Sequence, residues 1–147
     1  TGIMAGSYTQ EDVAGLIKYA ADRGIRVVPE FDLPGHAQGM DPLIASGLEF
    51  CTASGTPQIQ IYNDPKNSTL NVLKDLVTEM AGLFPDEVFN IGCDETSVVG
   101  ECTLSNIADL ESAVQQHIIS LGKTPEGWEE VLFNTAAAQP GSIVDAW

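Results

Sequence analysis

The sequence predicts an α/β fold in which short parallel strands alternate with helices. Continuous apolar runs closed by turn-forming residues are typical of strands covered on both faces, and VFNIGCDE at residues 88–95 contains the clearest of them. Longer segments with apolar residues at helical spacing lie between these runs. This alternation implies a parallel sheet built through right-handed crossovers.

The first helix is predicted to begin at Thr9, a good N-cap residue with Asp12 three residues later. Apolar residues then recur at helical spacing up to Gly24, a glycine of the kind that ends helices. The pattern predicts a helix of roughly 14 residues that packs on an apolar surface.

The first strand is predicted over residues 25–31, a continuous apolar run interrupted by Pro29. Because proline cannot donate a ladder hydrogen bond, the strand must loosen near that residue. The run ends in a turn that carries acids and a histidine, among them Asp32 and His36.

Residues 37–69 show no periodicity and are predicted to form a long loop, with room for one short helix. Loops of that length are usually functional, for example as one wall of a cleft. Helical spacing returns over residues 70–84, and the buried strand that begins at Val88 follows.

The second half of the chain repeats the alternation. It predicts a helix over residues 106–121, a short strand that ends at Trp128, a helix over residues 129–138 and a last strand over residues 142–147. Candidate site residues thus stand at the end of each strand, as in a barrel whose chemistry lies at one rim. A closed eight-stranded barrel needs roughly 250 residues. Residues 1–147 are therefore predicted to be a single domain and part of a (β/α)8, or TIM, barrel, with about four βα units.

Asp94 and Glu95 stand together where the strand from Val88 ends. Neighbouring strand residues point to opposite faces, so both acids can face one cleft only if the backbone turns there. Two carboxylates held close together cannot both ionise cheaply, and the one that keeps its proton becomes a general acid. The alternative is an ordinary acidic helix N-terminus, where the helix dipole favours Asp and Glu.

Charge and composition limit the partners. The 147 residues are 44% hydrophobic, enough to bury a core, and 6 basic against 21 acidic residues give a net charge of -15. This charge argues against nucleic acid or an anionic membrane and suits a neutral substrate. We expect neither a membrane span nor a signal peptide, and since the chain begins at Thr1 we expect an upstream segment to precede it.

Two motifs, PEFDLPGH at residues 29–36 and IGCDE at residues 91–95, resemble glycoside hydrolase family 20, the β-N-acetylhexosaminidases. The similarity extends from about Tyr8 to Trp147 and includes GWEEV and the closing SIVDAW. The resemblance implies an enzyme that removes terminal N-acetylhexosamine from a glycan or chito-oligosaccharide, without a cofactor or metal.

Carried over residue by residue, the resemblance implies that Glu95 is the general acid/base. It implies that Asp94 orients and polarises the 2-acetamido group of the substrate. The residues that support the site or wall the sugar pocket would be Asp32, His36, Trp128 and Trp147.

The sequence departs from the family at Cys93, where the family usually has a second glycine before the acid pair. The family's other substrate-binding residues would lie upstream of Thr1 and beyond Trp147. The resemblance therefore implies the catalytic pair without the complete pocket, and the expected protein partner is the remainder of the barrel or a second copy in a homo-oligomer.

Three cysteines leave room for one disulfide and one free thiol. The resemblance pairs Cys51 with Cys102 beside the site and leaves Cys93 unpaired. The sequon at Asn67 would be a glycan acceptor in a secreted eukaryotic protein. Together these features indicate a secreted, lysosomal or vacuolar protein.

Physical chemistry also favours substrate assistance. A conventional retaining glycosidase places two carboxyls about 5 Å apart, on opposite sides of the scissile bond. Adjacent residues have Cα atoms about 3.8 Å apart and cannot easily straddle a sugar ring. If the acetamide oxygen of the substrate is the nucleophile, the protein needs one acid for the leaving oxygen and one carboxylate for the amide N–H.

Two other interpretations stay open. Half a barrel with open sheet edges could be a non-catalytic carbohydrate-binding or interaction fragment. Histidine and carboxylates are also standard metal ligands, so a divalent metal site is the other interpretation, and its ligands would be Asp32, His36, Asp94 and Glu95.

Overall fold

The strands form one parallel sheet. The computed structural model describes residues 7–51 and 60–147, and in these residues the strand order is the chain order, with every neighbouring pair parallel. The carboxyl ends of all the strands therefore meet at one edge of the sheet. The strands are β1 (Glu30–Leu33), β2 (Val88–Gly92), β3 (Thr124–Trp128) and β4 (Ile143–Asp145).

Helices alternate with the strands, which confirms the predicted α/β class. They are α1 (Gln10–Ala21), a 3₁₀ helix (Ala37–Ser46), α2 (Ser68–Leu83), α3 (Leu104–Ser120) and α4 (Glu130–Phe133). Thr9 and Asp12 form the predicted capping box at the start of α1. Across the described residues, none of the helices combines the length and the apolar character that crossing a membrane requires.

β2 occupies the middle of the core. All five of its residues are buried, and it lies between β1 and β3. Phe89 is fully buried and stacks on Phe31, with ring centroids 5.7 Å apart. Apolar residues of both long helices belong to the same cluster, which includes Leu73, Val77, Leu110, Val114 and Ile118.

The first strand is shorter than predicted and begins later. Residues 25–29 are outside β1, and the ladder to β2 starts where the Asn90 N–H donates to the Pro29 carbonyl at 3.0 Å. Proline contributes an acceptor but no donor. Arg26 pairs instead with Asp86, at 2.7 Å and 2.8 Å, so the early part of the predicted strand is held by side chains.

The loop predicted over residues 37–69 contains the ten-residue 3₁₀ helix, and residues 52–59 of it lie outside the described residues. Cys51 and Cys102 form a disulfide that joins this loop to the segment before α3, and Cys93 is a buried free thiol, as the resemblance implies. A disulfide is typical of extracellular or lumenal proteins.

The predicted helix over residues 129–138 is confirmed only at its beginning, because α4 ends at Phe133. Ala136 adopts a left-handed φ of 53°, and the N–H groups of Ala137 and Ala138 both donate to the Val131 carbonyl. The Ala137 carbonyl also accepts a hydrogen bond from Gln115 of α3, so contacts from outside the segment override the helix propensity of three consecutive alanines. The last strand, β4, is also shorter than the predicted range 142–147.

α3 buries a carboxyl group in the core. Glu111 is 0% exposed, and its Oε2 is hydrogen-bonded to Thr135 Oγ1, which also lies 3.2 Å from the Val131 carbonyl. Thr135 donates to this carboxyl oxygen, which favours the charged form of Glu111, but burial penalises that charge more strongly. Burial therefore raises the pKa of Glu111 to about 8.

Replacing Glu111 with Gln should remove a pH dependence of stability. The unperturbed pKa is 4.5 and the folded value about 8, so the stabilising proton is fully held below 4.5 and lost as the pH rises through 8. The free energy of unfolding of the wild type should therefore fall across this range. In Glu111→Gln most of this decrease should be absent, so that the slopes of the two pH profiles differ by up to ~1.4 kcal/mol per pH unit.

Urea unfolding of both proteins at several pH values measures this difference, and Glu11→Gln, at an exposed position, is the matched control. Identical pH profiles for wild type and Glu111→Gln would contradict the buried protonated carboxyl.

Candidate active site

The chain leaves β2 through a left-handed turn. Gly92, Cys93 and Glu95 have φ values of 67°, 76° and 50°, a region that residues other than glycine rarely adopt. This turn meets the condition set by the sequence, because it interrupts the strand alternation that would separate Asp94 from Glu95. Both acids stand at the carboxyl edge of the sheet.

Asp32 is packed against this turn. A Cβ on Gly92 would lie 1.9 Å from Asp32 Oδ1, so the carboxylate occupies space that only glycine leaves open. The same oxygen accepts a hydrogen bond from the Cys93 N–H at 3.2 Å. Sequence reasoning did not single out Gly92 as a site residue; its place directly before the acids is the signal that could have indicated it.

His36 links the two predicted catalytic acids. Its Nε2 lies 3.3 Å from Asp94 Oδ2 and 3.4 Å from Glu95 Oε2. Asp94 is the more enclosed of the two acids, with 20% of its side chain exposed against 48% for Glu95. The structure therefore brings together all four predicted polar site residues, since Asp32 also neighbours Asp94.

The raised pKa belongs to Asp32. Burial, and then the charge of Asp94, raise the pKa of Asp32 to about 7. Within the described residues, Asp94 Oδ1 is buried and accepts no hydrogen bond from an N–H or hydroxyl group. A protonated Asp32 would supply a donor beside it. The sequence placed the shared proton on Asp94 and Glu95, whereas the geometry favours Asp32 and Asp94.

The two predicted tryptophans face one cavity. This space of about 310 Å³ is lined by Glu30, Asp32, Asp94, Trp128 and Trp147. Trp128 Nε1 donates to Glu30 Oε1 at 3.2 Å, which fixes one indole against β1. The cavity combines two aromatic walls with carboxylates, a composition suited to a sugar ring.

Trp147 is held less firmly. Its side chain is 70% exposed, and its Nε1 donates to Glu130 Oε2 at 3.4 Å. Sequence reasoning missed both acids that orient the indoles, Glu30 and Glu130. The signal that could have indicated them is their closeness in sequence to predicted site residues, since Glu30 lies two residues before Asp32 in β1 and Glu130 lies two residues after Trp128.

A larger cavity of about 460 Å³ is also lined in part by Asp32 and His36. Its remaining walls are mostly apolar and include Met40, Leu43 and Leu76. Asp94 lines the smaller cavity but not this one, while Glu95 is among the lining residues of neither, so the smaller cavity is the better candidate for the reacting sugar.

Asp32, His36 and Asp94 also have potential ligand atoms within 4.8 Å of one another, as the metal interpretation requires. Glu95, the fourth predicted ligand, is outside this group. Hydrogen bonding already accounts for the arrangement, because Asp32 accepts from the Cys93 N–H and His36 contacts Asp94.

Residues 2–147 match the model of glycosyl hydrolase family 20, catalytic domain. The chain belongs to glycosyl hydrolase family 20. Curated relatives are β-hexosaminidases: subunit beta from Sus scrofa is 31% identical over 163 residues, and the enzyme from Vibrio furnissii is 33% identical over 164 residues. These matches cover 95% and 97% of this chain but only 30% and 27% of the relatives. The chain thus spans less than a third of their length.

Solved structures of the family agree with the fold. The β-N-acetylhexosaminidase from Streptomyces coelicolor superposes with a TM-score of 0.77 at 28% identity, covering 95% of this chain and 28% of that one. A mutant Streptomyces plicatus β-hexosaminidase, in complex with product (GlcNAc), gives a TM-score of 0.75 at 25% identity with the same coverage. The four parallel strands and their helices are therefore part of a family 20 barrel domain.

Cys93 should tolerate glycine better than a β-branched residue. Its φ of 76° is left-handed and its thiol is buried in the core cluster. Glycine relieves the backbone strain, about 1–2 kcal/mol, but loses the buried side chain. We expect Cys93→Gly to stay within about 1 kcal/mol of wild type and Cys93→Val to lose at least 2 kcal/mol.

Chemical denaturation of both variants tests this expectation, with Cys93→Ala separating the loss of the thiol from the backbone effect. Equal stability of the Gly and Val variants would show that the turn is not under strain at this residue.

Proposed function

We propose that the natural polypeptide containing this chain is a β-N-acetylhexosaminidase that releases terminal non-reducing N-acetylhexosamine by substrate-assisted, retaining catalysis. The observation that carries the proposal is the pair Asp94 and Glu95 on one strand-end turn, with Asp94 lining a cavity walled by two tryptophans, in a family 20 chain. Glu95 is the general acid/base, and Asp94 orients the 2-acetamido group.

The adjacency of the acids supports substrate assistance over a conventional double displacement. Carboxyl groups on neighbouring residues share one side of the sugar, whereas a protein nucleophile must lie on the opposite side from the acid. The acetamido oxygen can reach the anomeric carbon from that opposite side. The protein then needs no second nucleophile.

Each group has one task in the first step. The acetamido oxygen bonds to the anomeric carbon while the glycosidic C–O bond breaks, and Glu95 donates its proton to the leaving oxygen. The substrate becomes a bicyclic oxazolinium ion, whose N–H carries the developing positive charge. The Asp94 carboxylate accepts that N–H and stabilises the charge.

In the second step Glu95 acts as a base. It takes a proton from water as the water oxygen bonds to the anomeric carbon, and the bond from the acetamido oxygen breaks. Two inversions at one carbon give net retention. Asp32 and His36 support Asp94, and Trp128 and Trp147 bind the apolar faces of the sugar.

The substrate class follows from the same features. A glycan or chito-oligosaccharide is neutral or weakly charged, and a chain of net charge -15 does not repel it. The product complex of the Streptomyces plicatus relative contains GlcNAc. No cofactor is needed for the steps above.

We further propose a secreted, lysosomal or vacuolar location. The Cys51–Cys102 disulfide supports an oxidising compartment. Asn67 is exposed at the start of α2, where a glycan on its sequon would point into solvent.

Residues 1–147 form a single domain in this proposal. β1 and β4 are the edges of the sheet in the described residues, and unpaired edges favour association. The strands that complete the barrel would come from the remainder of the natural polypeptide or from a homo-oligomer.

Glu95→Gln in the natural polypeptide should impair poor leaving groups more than activated ones. General acid catalysis contributes about 10²–10⁴-fold, and it matters most when the departing oxygen needs a proton. We expect a loss in that range for chito-oligosaccharides and a much smaller loss for an aryl glycoside with an acidic phenol.

Steady-state kinetics on both substrates measure the two losses, and Glu79→Gln, at an exposed position on α2, is the control. Equal losses on both substrates would argue that another residue is the acid.

Asp94→Asn should abolish recognition of the intermediate. The substitution keeps the shape but removes the charge that stabilises the oxazolinium ion, a loss on the order of 3 kcal/mol in a partly desolvated site. A thiazoline analogue of that ion should inhibit the wild type and bind the variant at least a hundredfold more weakly. Inhibition constants measure the change, and Asp75→Asn, on the exposed side of α2, is the control.

A β-glucoside that lacks the acetamido group supplies the complementary test, because it has no internal nucleophile and should hardly react with the wild type. Efficient hydrolysis of this glucoside, or unchanged thiazoline affinity in Asp94→Asn, would favour a conventional two-carboxylate mechanism.

A further inference from the structure

α3 carries a second buried polar side chain, Gln115, one turn after Glu111. It is 2% exposed, and its amide uses its full capacity of two N–H groups and two lone pairs. Nε2 donates to the carbonyl oxygens of Glu111 at 3.2 Å and Ala137 at 3.1 Å. Oε1 accepts from the Gln139 N–H at 3.1 Å and the Ser142 hydroxyl at 3.0 Å.

Three of these four partners belong to one segment, residues 134–142, which connects α4 to β4. This connection is neither helix nor strand. Its buried backbone groups therefore lack the regular partners that secondary structure would provide. Gln115 supplies partners for Ala137 and Gln139, and the Gln139 side chain adds a bond to Ser112 Oγ at 2.9 Å.

The connection determines where β4 begins, because Ile143 directly follows Ser142. β4 has three residues, none of them fully buried, and Ile143 is 36% exposed. Apolar burial thus contributes little to its position. The ladder to β3 and the anchored connection hold the strand, and Trp147 lies two residues beyond its end.

We propose that Gln115 is a positioning residue for the cavity wall: it ties the connection to α3 and thereby sets the place of Trp147 relative to Trp128 and Asp94. None of the four hydrogen bonds of Gln115 goes to a lining residue of that cavity. The claim that Gln115 affects sugar binding rests on the proposed function. The claim that Gln115 holds the connection and β4 in place, here called the mechanical part, does not.

The mechanical part is tested by amide hydrogen exchange in the natural polypeptide. Gln115→Met keeps the length of the side chain but removes all four hydrogen bonds. Exchange of the amides from Gln139 to Asp145 should accelerate roughly tenfold or more, while the amides of β2 keep wild-type protection. Asp109→Met is the matched control, at an exposed position on the same helix.

The functional part is tested by the kinetics of an aryl β-N-acetylglucosaminide. A misplaced Trp147 weakens sugar binding, so KM should rise about tenfold while kcat changes little. A merely structural defect would instead lower the active fraction, which reduces the apparent kcat and leaves KM unchanged.

A double-mutant cycle identifies the route. If Gln115 acts through Trp147, the KM effect of Gln115→Met should disappear in a Trp147→Ala background. Additive effects on KM would overturn this route.

If Gln115→Met fails to fold, Ser142→Ala tests the positioning role of Gln115 in its place. It removes one bond at the start of β4 and should give a smaller change in the same direction in both measurements. Unchanged exchange at β4 in the folded variant overturns the proposal, and so does faster exchange with an unchanged KM. A natural polypeptide without hexosaminidase activity would refute the proposed function, yet the exchange experiment would still test the mechanical role.

Discussion

The left-handed exit from β2 is the constraint on which the site depends. Gly92 and Cys93 both have positive φ, and the turn they make places Asp94 and Glu95 at one edge of the sheet. Each non-glycine residue in this conformation costs about 1–2 kcal/mol. The burial of all five residues of β2 offsets this cost, because any other position of the strand would expose apolar side chains to water. Asp32 can approach the turn only because Gly92 has no side chain.

The electrostatics of the site follow from that close approach. Asp32 is forced against Asp94, and a proton held near pH 7 relieves the repulsion that two carboxylates would otherwise have. His36 lies within 3.4 Å of both Asp94 and Glu95 and supports their orientation. The site thus separates a more enclosed carboxylate from a more exposed one, which suits the roles proposed for Asp94 and Glu95.

The segment between β3 and β4 departs from a regular βα unit. Only one turn of helix forms, and the rest of the crossover is held to α3 by the polar side chains Glu111 and Gln115. A helical crossover would satisfy its own backbone, whereas this one relies on side chains from a neighbour. The last strand and Trp147 therefore depend on a polar network more than on apolar burial.

The sequence by itself determined the order of elements, the buried character of β2 and the positions of the acids at strand ends, because these depend on local patterns. Thr9 and Asp12 predicted the start of α1 correctly, since a capping box involves only neighbouring residues. The motifs around Asp94 also carried the resemblance to the family. Family membership confirms that resemblance, while the roles of the individual residues stay proposals.

Only the tertiary structure decided how far each element extends and which acids share a proton. The lengths of the strand near Pro29 and of the helix after Trp128 were overestimated. Near Pro29 the Arg26 side chain pairs with Asp86, and after Trp128 the Gln115 side chain donates to the Ala137 carbonyl; both partners are distant in sequence. The approach of Asp32 to Asp94 joins residues 62 positions apart, and no local pattern encodes it. Periodicity reports which residues are buried, but hydrogen bonding and charge across the fold determine which groups meet and what protonation state they adopt.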